Sequence, residues 1–137
     1  MPDRGVDPLV LVVDDTPQLR LLLRLNLELE GFTVEEAADG QECLTRLRNR
    51  SLPRPAVVTI DAAMEPVDGW TAVGQIRSDP ALADLPVVMV TASVQAHHHA
   101  RALAQGVDVF VDKPFEPSAL VEVIRSLLAG RTSCGDL

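Results

Sequence analysis

The sequence predicts an α/β fold, a three-layer α/β/α sandwich around a five-stranded parallel sheet. Three observations carry that prediction. Five short apolar runs punctuate the chain: Leu9–Val13, Phe32–Glu36, Ala56–Ile60, Val87–Val90 and Val107–Val111. Four of them are nearly continuous in hydrophobicity, as strands covered on both faces are. The intervening segments have helical length and composition, and a helical crossover returns each strand parallel to the last.

Taken in order, Leu9–Val13 reads as a buried strand, and the alternating Phe32–Glu36 reads as an edge strand with one wetter face. Between them, every odd position from Leu19 to Leu29 is Leu and most even positions are polar, a period that by itself suggests a strand. Composition overrides it: Leu, Arg and Glu form helices, and no β-branched residue interrupts the run. Asp15 or Thr16 before Pro17 marks a helix start, and Gly31 marks a left-handed stop. The core stripe of that helix is expected at Leu19, Leu22, Leu23 and Leu27. A second stripe, Leu21, Leu25 and Leu29, exceeds what one sheet face requires. Further helices are predicted over Gly40–Arg50, Gly69–Ser78 (following Asp68), Ser93–Gln105 (ending at Gly106) and Glu116–Ala129 (ending at Gly130). The domain spans residues 8–129, and 1–7 and 130–137 read as short flexible tails.

The 137 residues suit one domain, and 47% apolar composition supplies one core. A net charge of −8 argues against direct nucleic-acid binding, and four aromatic residues offer little for base stacking. No apolar run approaches the ~18 residues of a membrane span, and the N-terminus lacks a secretory pattern. A cytoplasmic location is expected. Cys43 and Cys134 are too few for a disulfide framework and read as incidental.

On this frame the chemically unusual residues gather. Asp14 and Asp15 follow the first strand, Asp61 the third, Thr91 ends the fourth, and Asp112-Lys113 follow the fifth. Parallel strands end at one sheet edge, where open α/β sheets bind ligands. Lys113 is the chain's only lysine, a compact charge suited to a phosphate or carboxylate. Two carboxylates ~5 Å apart repel by roughly 3 kcal/mol at an effective dielectric near 20. Three such acids with one ammonium therefore call for a divalent cation, and oxygen-only donors at a half-open edge favour Mg²⁺.

These residues resemble the receiver domain of two-component response regulators. The matching pieces are Val12-Val13-Asp14-Asp15, Val57-Val58-Thr59-Ile60-Asp61, Met64 with Asp68-Gly69, Val90-Thr91-Ala92 and Asp112-Lys113-Pro114-Phe115. The resemblance implies a flavodoxin-like doubly wound sheet in the order 2-1-3-4-5. It implies that Asp61 accepts a phosphoryl group from a phosphohistidine on a sensor histidine kinase or phosphotransfer protein. It further implies that Asp14, Asp15, Asp61 and the Ala63 backbone carbonyl hold Mg²⁺, Asp14 through water, while Lys113 and Thr91 hold phosphoryl oxygens. Phe110 falls where the family keeps a switch aromatic. The family's proline four residues after the acceptor is Glu65 here, followed by Pro66, which adds a negative charge beside the site. Ala63, two residues after the acceptor, offers no group to orient a water, and with Ser93 two beyond Thr91 implies slow self-dephosphorylation.

The expected function is a signalling switch that assists its own phosphorylation and dephosphorylation without being a turnover enzyme. Its partners would be the kinase and a downstream protein target, with a homodimer as a further option. With no output domain after residue 129 and a start at Met1, a stand-alone, chemotaxis-regulator-like receiver is favoured over one excised from a longer chain. One rival is a receiver-like module that is never phosphorylated, which Glu65 favours. The other is a small aspartyl-nucleophile phosphohydrolase, for which Ala63 stands where such enzymes want an acid. Asp68 reads as a helix cap, Trp70 as packing, and His97-His98-His99 as a solvated helix face. The Leu21, Leu25 and Leu29 stripe is either covered by neighbouring loops or a partner surface.

Overall fold

The structure, a computed structural model, describes residues 8–62, 64, 67–91, 104, 106–112 and 116–134, with the side chains of Thr91, Asp112 and residues 130–134 outside the description. The elements run β1 (Leu9–Val13), α1 (Pro17–Leu29), β2 (Thr33–Ala37), α2 (Gly40–Arg48), β3 (Val57–Asp61), α3 (Gly69–Ser78), β4 (Val87–Thr91), β5 (Val109–Asp112) and α4 (Pro117–Cys134). All strand pairs are parallel, and the sheet order is β2-β1-β3-β4-β5, as expected. The helix expected over Ser93–Gln105, with its histidine triplet, lies almost wholly outside the described residues.

Alternation along each strand builds the two cores. Leu11 and Val13 of β1, Val58 and Ile60 of β3, and Val87 and Met89 of β4 face one side, packed with Leu44 and Leu47 of α2 and Val73 and Ile76 of α3. Val10, Val12, Val57, Val88 and Val90 face the other, against Leu23 and Leu27 of α1 and Leu120 and Ile124 of α4. β1 and β3 are buried almost throughout, whereas Val109, Phe110 and Val111 of β5 are only half-buried. An edge position accounts for the difference: β5 pairs with a single neighbour, so the continuous apolar run does not mean full cover.

The turn from α1 into β2 shows how local chemistry sets boundaries. Gly31 adopts φ 95°, its N–H reaches Glu28 O at 3.1 Å, and the N–H of Phe32 reaches Leu27 O at 3.1 Å. Those two bonds satisfy the last carbonyls of the helix, and Phe32 packs in the same core as Leu27. Phe32 thus belongs to the helix cap, and β2 begins one residue later than its pattern suggests. Near β5, the Asp108 carboxylate accepts the Val87 N–H at 2.8 Å and an Arg77 N–H at 3.1 Å, so a side chain substitutes for a strand carbonyl and β5 starts at Val109. α2 stops at Arg48 and α4 continues past Gly130 to Cys134. Glycine inside a helix costs only about 1 kcal/mol, and no proline follows to end it.

In α1 the expected stripe is narrower than four leucines. Leu23 and Leu27 are buried and Leu19 is half-buried, but Leu22 is exposed. Leu22 sits about 100° around the helix from Leu23, which turns it away from the sheet. The surplus stripe of Leu21, Leu25 and Leu29 is exposed as well. No described helix is long and apolar enough to cross a membrane.

Candidate functional site

The carboxyl ends of β1 and β3 lie side by side, because Val13 pairs with Ile60. Asp14 follows β1 and Asp61 ends β3, so adjacent strands deliver two carboxylates to one point. One carboxylate oxygen from each of Asp14, Asp15 and Asp61 falls in a group spanning no more than 4.8 Å. Asp14 is 3% exposed and Asp61 7%, while Asp15 opens to solvent. This is the expected convergence of the three acids.

The backbone around Asp14 and Asp61 is held in place on both sides. The Asp14 N–H donates to Ala37 O at 3.1 Å, tying the β1 end to β2. Asp14 Oδ1 accepts the Thr16 N–H at 2.8 Å, so this carboxylate also takes an N-terminal amide of α1. Thr16 itself is the N-cap and makes no side-chain cap bond; Pro17 stands at the first turn. The loop after Asp61 is held at three points: Ala62 N–H to Val90 O at 3.2 Å, Gly69 N–H to Ala62 O at 3.0 Å, and Gly40 N–H to Val67 O at 3.0 Å.

Gly69 has no room for a side chain. A Cβ there would stand 2.2 Å from the Asp61 carbonyl oxygen and 2.9 Å from Ala62 Cα. The Asp68-Gly69 pair therefore does two jobs. Asp68 caps α3 by accepting the Thr71 N–H at 2.8 Å, and Gly69 lets the start of that helix press against the Asp61 backbone. Asp68→Ala should lower stability by about 1 kcal/mol, measured as a fall of a few degrees in melting temperature.

Sequence reading passed over one cation beside the acids. Arg20 donates from Nη1 to the Asp14 carbonyl at 2.7 Å and from Nε to Glu36 at 3.0 Å. Arg24 donates to Glu36 and to Glu28, each at 3.0 Å. Burial alone would raise the Glu36 pKa, but the hydrogen bonds from Arg20 and Arg24 outweigh it and hold the carboxyl below its usual range. The available signal was an arginine in the first turns of α1 and the acid Glu36 on the following strand, and the leucine alternation masked it. Trp70 and Phe110 are half-buried against the core layer that also contains Ala62 and Met64. Cys43 is buried, which pushes its thiol up to about 12, with the Asp39 charge adding to the effect. It is a core residue and not a nucleophile.

Thr91 ends β4 opposite Asp112 of β5, so the strand position expected of it holds. Its hydroxyl lies outside the description, as do Ala63, Glu65, Pro66, Ser93 and Lys113.

The donor set suits a hard divalent cation. It offers oxygens alone from three carboxylates, two of them buried, and at 4.8 Å each pair repels by about 3 kcal/mol at an effective dielectric near 20. A divalent ion at this point would neutralise charge that the fold has forced together.

Comparison with known proteins agrees with this geometry. The family model for the response regulator receiver domain matches residues 10–125. Among curated relatives, the DNA-binding dual master transcriptional regulator RpaA of Synechocystis sp. is 32% identical over 124 residues, 88% of this chain and 49% of that protein. The phosphate regulon transcriptional regulatory protein PhoB of Rhizobium meliloti is 35% identical over 121 residues, 88% of this chain and 52% of its own. The chain spans about half the length of both. Chemotaxis protein CheY4 of Vibrio cholerae superposes with a TM-score of 0.83 at 28% identity, covering 90% of this chain and all of that one. The chain belongs to the response regulator receiver domain family.

Proposed function

We propose that the chain is a phosphorylation-dependent switch of a two-component pathway, acting in the cytoplasm, with Asp61 as the phosphoryl acceptor. The observation that carries this reading is the trio of Asp14, Asp15 and Asp61 at the end of a sheet whose order matches the family. A carboxylate oxygen of Asp61 attacks phosphorus, the new P–O bond forms, and the P–N bond to the donor histidine breaks with its electron pair returning to the imidazole. Phosphoryl transfer asks mainly for position and charge neutralisation. Asp14, Asp15 and Asp61, with the Ala63 carbonyl, would hold Mg²⁺, which when bound supplies positive charge to the phosphoryl oxygens. Lys113 and Thr91 would hold those oxygens from the neighbouring strand ends. Arg20 steadies Asp14 from behind through its carbonyl.

In this reading the donor is a sensor histidine kinase or phosphotransfer protein, and the output is a contact with a downstream protein. Phe110 carries no hydroxyl, so it would report phosphorylation through packing alone. The protein is a switch and does not turn over outside substrates.

Incubation with Mg²⁺ and acetyl phosphate followed by intact-mass measurement tests the reading. A stable gain of one phosphoryl group, absent in Asp61→Asn, is the expected result. Continuous release of inorganic phosphate would make the protein a phosphohydrolase, and an unchanged mass would make it an interaction module that is never phosphorylated.

A further inference from the structure

Helix α1 leaves Leu21, Leu22, Leu25 and Leu29 exposed by 53%, 45%, 50% and 83%. At ~100° per residue the four fall within an arc about 100° wide, and Gln18 is the only other side chain inside it. The borders of the arc are quiet. Arg24 and Glu28 form an i, i+4 ion pair at 3.0 Å, and the Asn26 amide donates to its own helix at Leu22 O, 2.8 Å away. A chain of net charge −8 therefore presents one apolar face without an uncompensated charge. Contiguous exposed leucine surface of this kind marks a contact.

We infer that this face pairs with the same face of a second copy, as two antiparallel α1 helices related by a two-fold axis at Leu25. The spacing is self-complementary in the way an isologous interface demands. Leu21 and Leu29 stand four residues to either side of Leu25. Antiparallel pairing about Leu25 sets Leu25 against its twin and seats Leu29, the most exposed, between Leu21 and Leu22 of the other copy. The charges obey the same symmetry. The Arg24–Glu28 border meets its own reversed copy, which brings Arg24 within about 3 Å along the axis of the other copy's Glu28 and, equally, of the other copy's Arg24, at 1.5 Å rise per residue. Two Arg–Glu contacts across the rim outnumber the one Arg24–Arg24 contact, and leucines meet at the centre, which is the ordinary anatomy of a protein contact. On a protein of net charge −8, a face free of net charge among the described residues lets two copies approach with little like-charge repulsion. The thirteen residues of α1 span only about 20 Å, less than a standard interface of ~800 Å² per partner needs, so the dimer is weak and concentration-dependent. The inference does not depend on the chemistry at Asp61.

Sedimentation equilibrium of the whole chain tests it. The average mass should climb from 14.8 kDa toward twice that value as concentration rises through roughly the micromolar to sub-millimolar range. Leu25→Glu places two carboxylates on the axis and should hold the mass at the monomer value with an unchanged melting temperature. In a Cys134→Ser background, oxidised Leu25→Cys should cross-link to itself. Leu21→Cys should do so only when mixed with Leu29→Cys. A monomer at every concentration, association unaltered by Leu25→Glu, or cross-linking of Leu21→Cys to itself would overturn the pairing. So would a monomer in which Leu25→Glu slows phosphoryl uptake from a phosphohistidine protein but not from acetyl phosphate, since the face would then belong to the donor.

Discussion

Asp61→Asn should abolish phosphoryl acceptance and, in metal-free buffer, melt several degrees higher than the unaltered chain. Both effects come from one carboxylate. The reaction loses its nucleophile, and no other acid of the trio ends β3. The stability gain follows from electrostatics: Asp61 and Asp14 are buried, and the three carboxylates lie within 4.8 Å. Each close pair opposes folding by up to about 3 kcal/mol at an effective dielectric near 20, which the exposure of Asp15, the nearby Arg20 and, in the proposed site, the Lys113 ammonium reduce. A net gain of roughly 2 kcal/mol is expected, which raises the melting temperature of a chain this size by several degrees. Saturating Mg²⁺ should narrow or invert the difference, because ligand binding to the folded state stabilises only the chain that keeps all three acids. Thermal melts of both chains with and without Mg²⁺ read this directly, and a lower metal-free melting temperature for Asp61→Asn would contradict it.

Gly69→Ala should be the most damaging single methyl in the neighbourhood of the site. Its Cβ would meet the Asp61 carbonyl oxygen at 2.2 Å and Ala62 Cα at 2.9 Å, and both obstacles are backbone. Relief requires α3 to retreat or the end of β3 to shift, so the cost should reach about 3 kcal/mol, the upper end for overpacking. Phosphoryl acceptance should fall at least tenfold, since small displacements of a reacting group are expensive. Gly31→Ala is the control. Gly31 has φ 95° but open space around a Cβ, so the penalty is conformational alone, about 1–2 kcal/mol, with acceptance unchanged. Equal loss of acceptance in both variants would show that global stability, not the Gly69–Asp61 contact, is responsible.

Much of this architecture was legible in the residues. Val-rich runs separated by helical segments imply parallel strands, and parallel strands send their ends to one edge, so the sequence alone brings Asp14, Asp15 and Asp61 together. Their charge then implied a cation without reference to geometry. Gly31 as a left-handed stop and Asp68 as a cap were readable because each has a strong local cause.

What escaped had non-local causes. Phe32 looks like strand but serves the helix cap, because its amide bonds back to Leu27. β5 is the edge strand that the expected order 2-1-3-4-5 makes it, and what its continuous apolar run hid is that Val109, Phe110 and Val111 are only half-buried there. Leu22 read as core because leucines occupy both the buried and the exposed side of α1, so apolar character alone does not mark which stripe turns to solvent. Arg20 needed the packing of α1 across β2 before its place behind Asp14 became visible. The clearance at Gly69 is likewise a property of two backbones that are neighbours only in space.

The central claim is that the carboxylate trio works as one cation-dependent acceptor with Asp61 as its reactive member. Peptide mapping by mass spectrometry after acetyl phosphate treatment, run in parallel with Mg²⁺ and with a chelator, tests it most directly. The prediction is a single phosphorylated peptide carrying the group on Asp61, formed with Mg²⁺ and lost with the chelator. A group found on any other side chain, or equal labelling without the divalent ion, would contradict it.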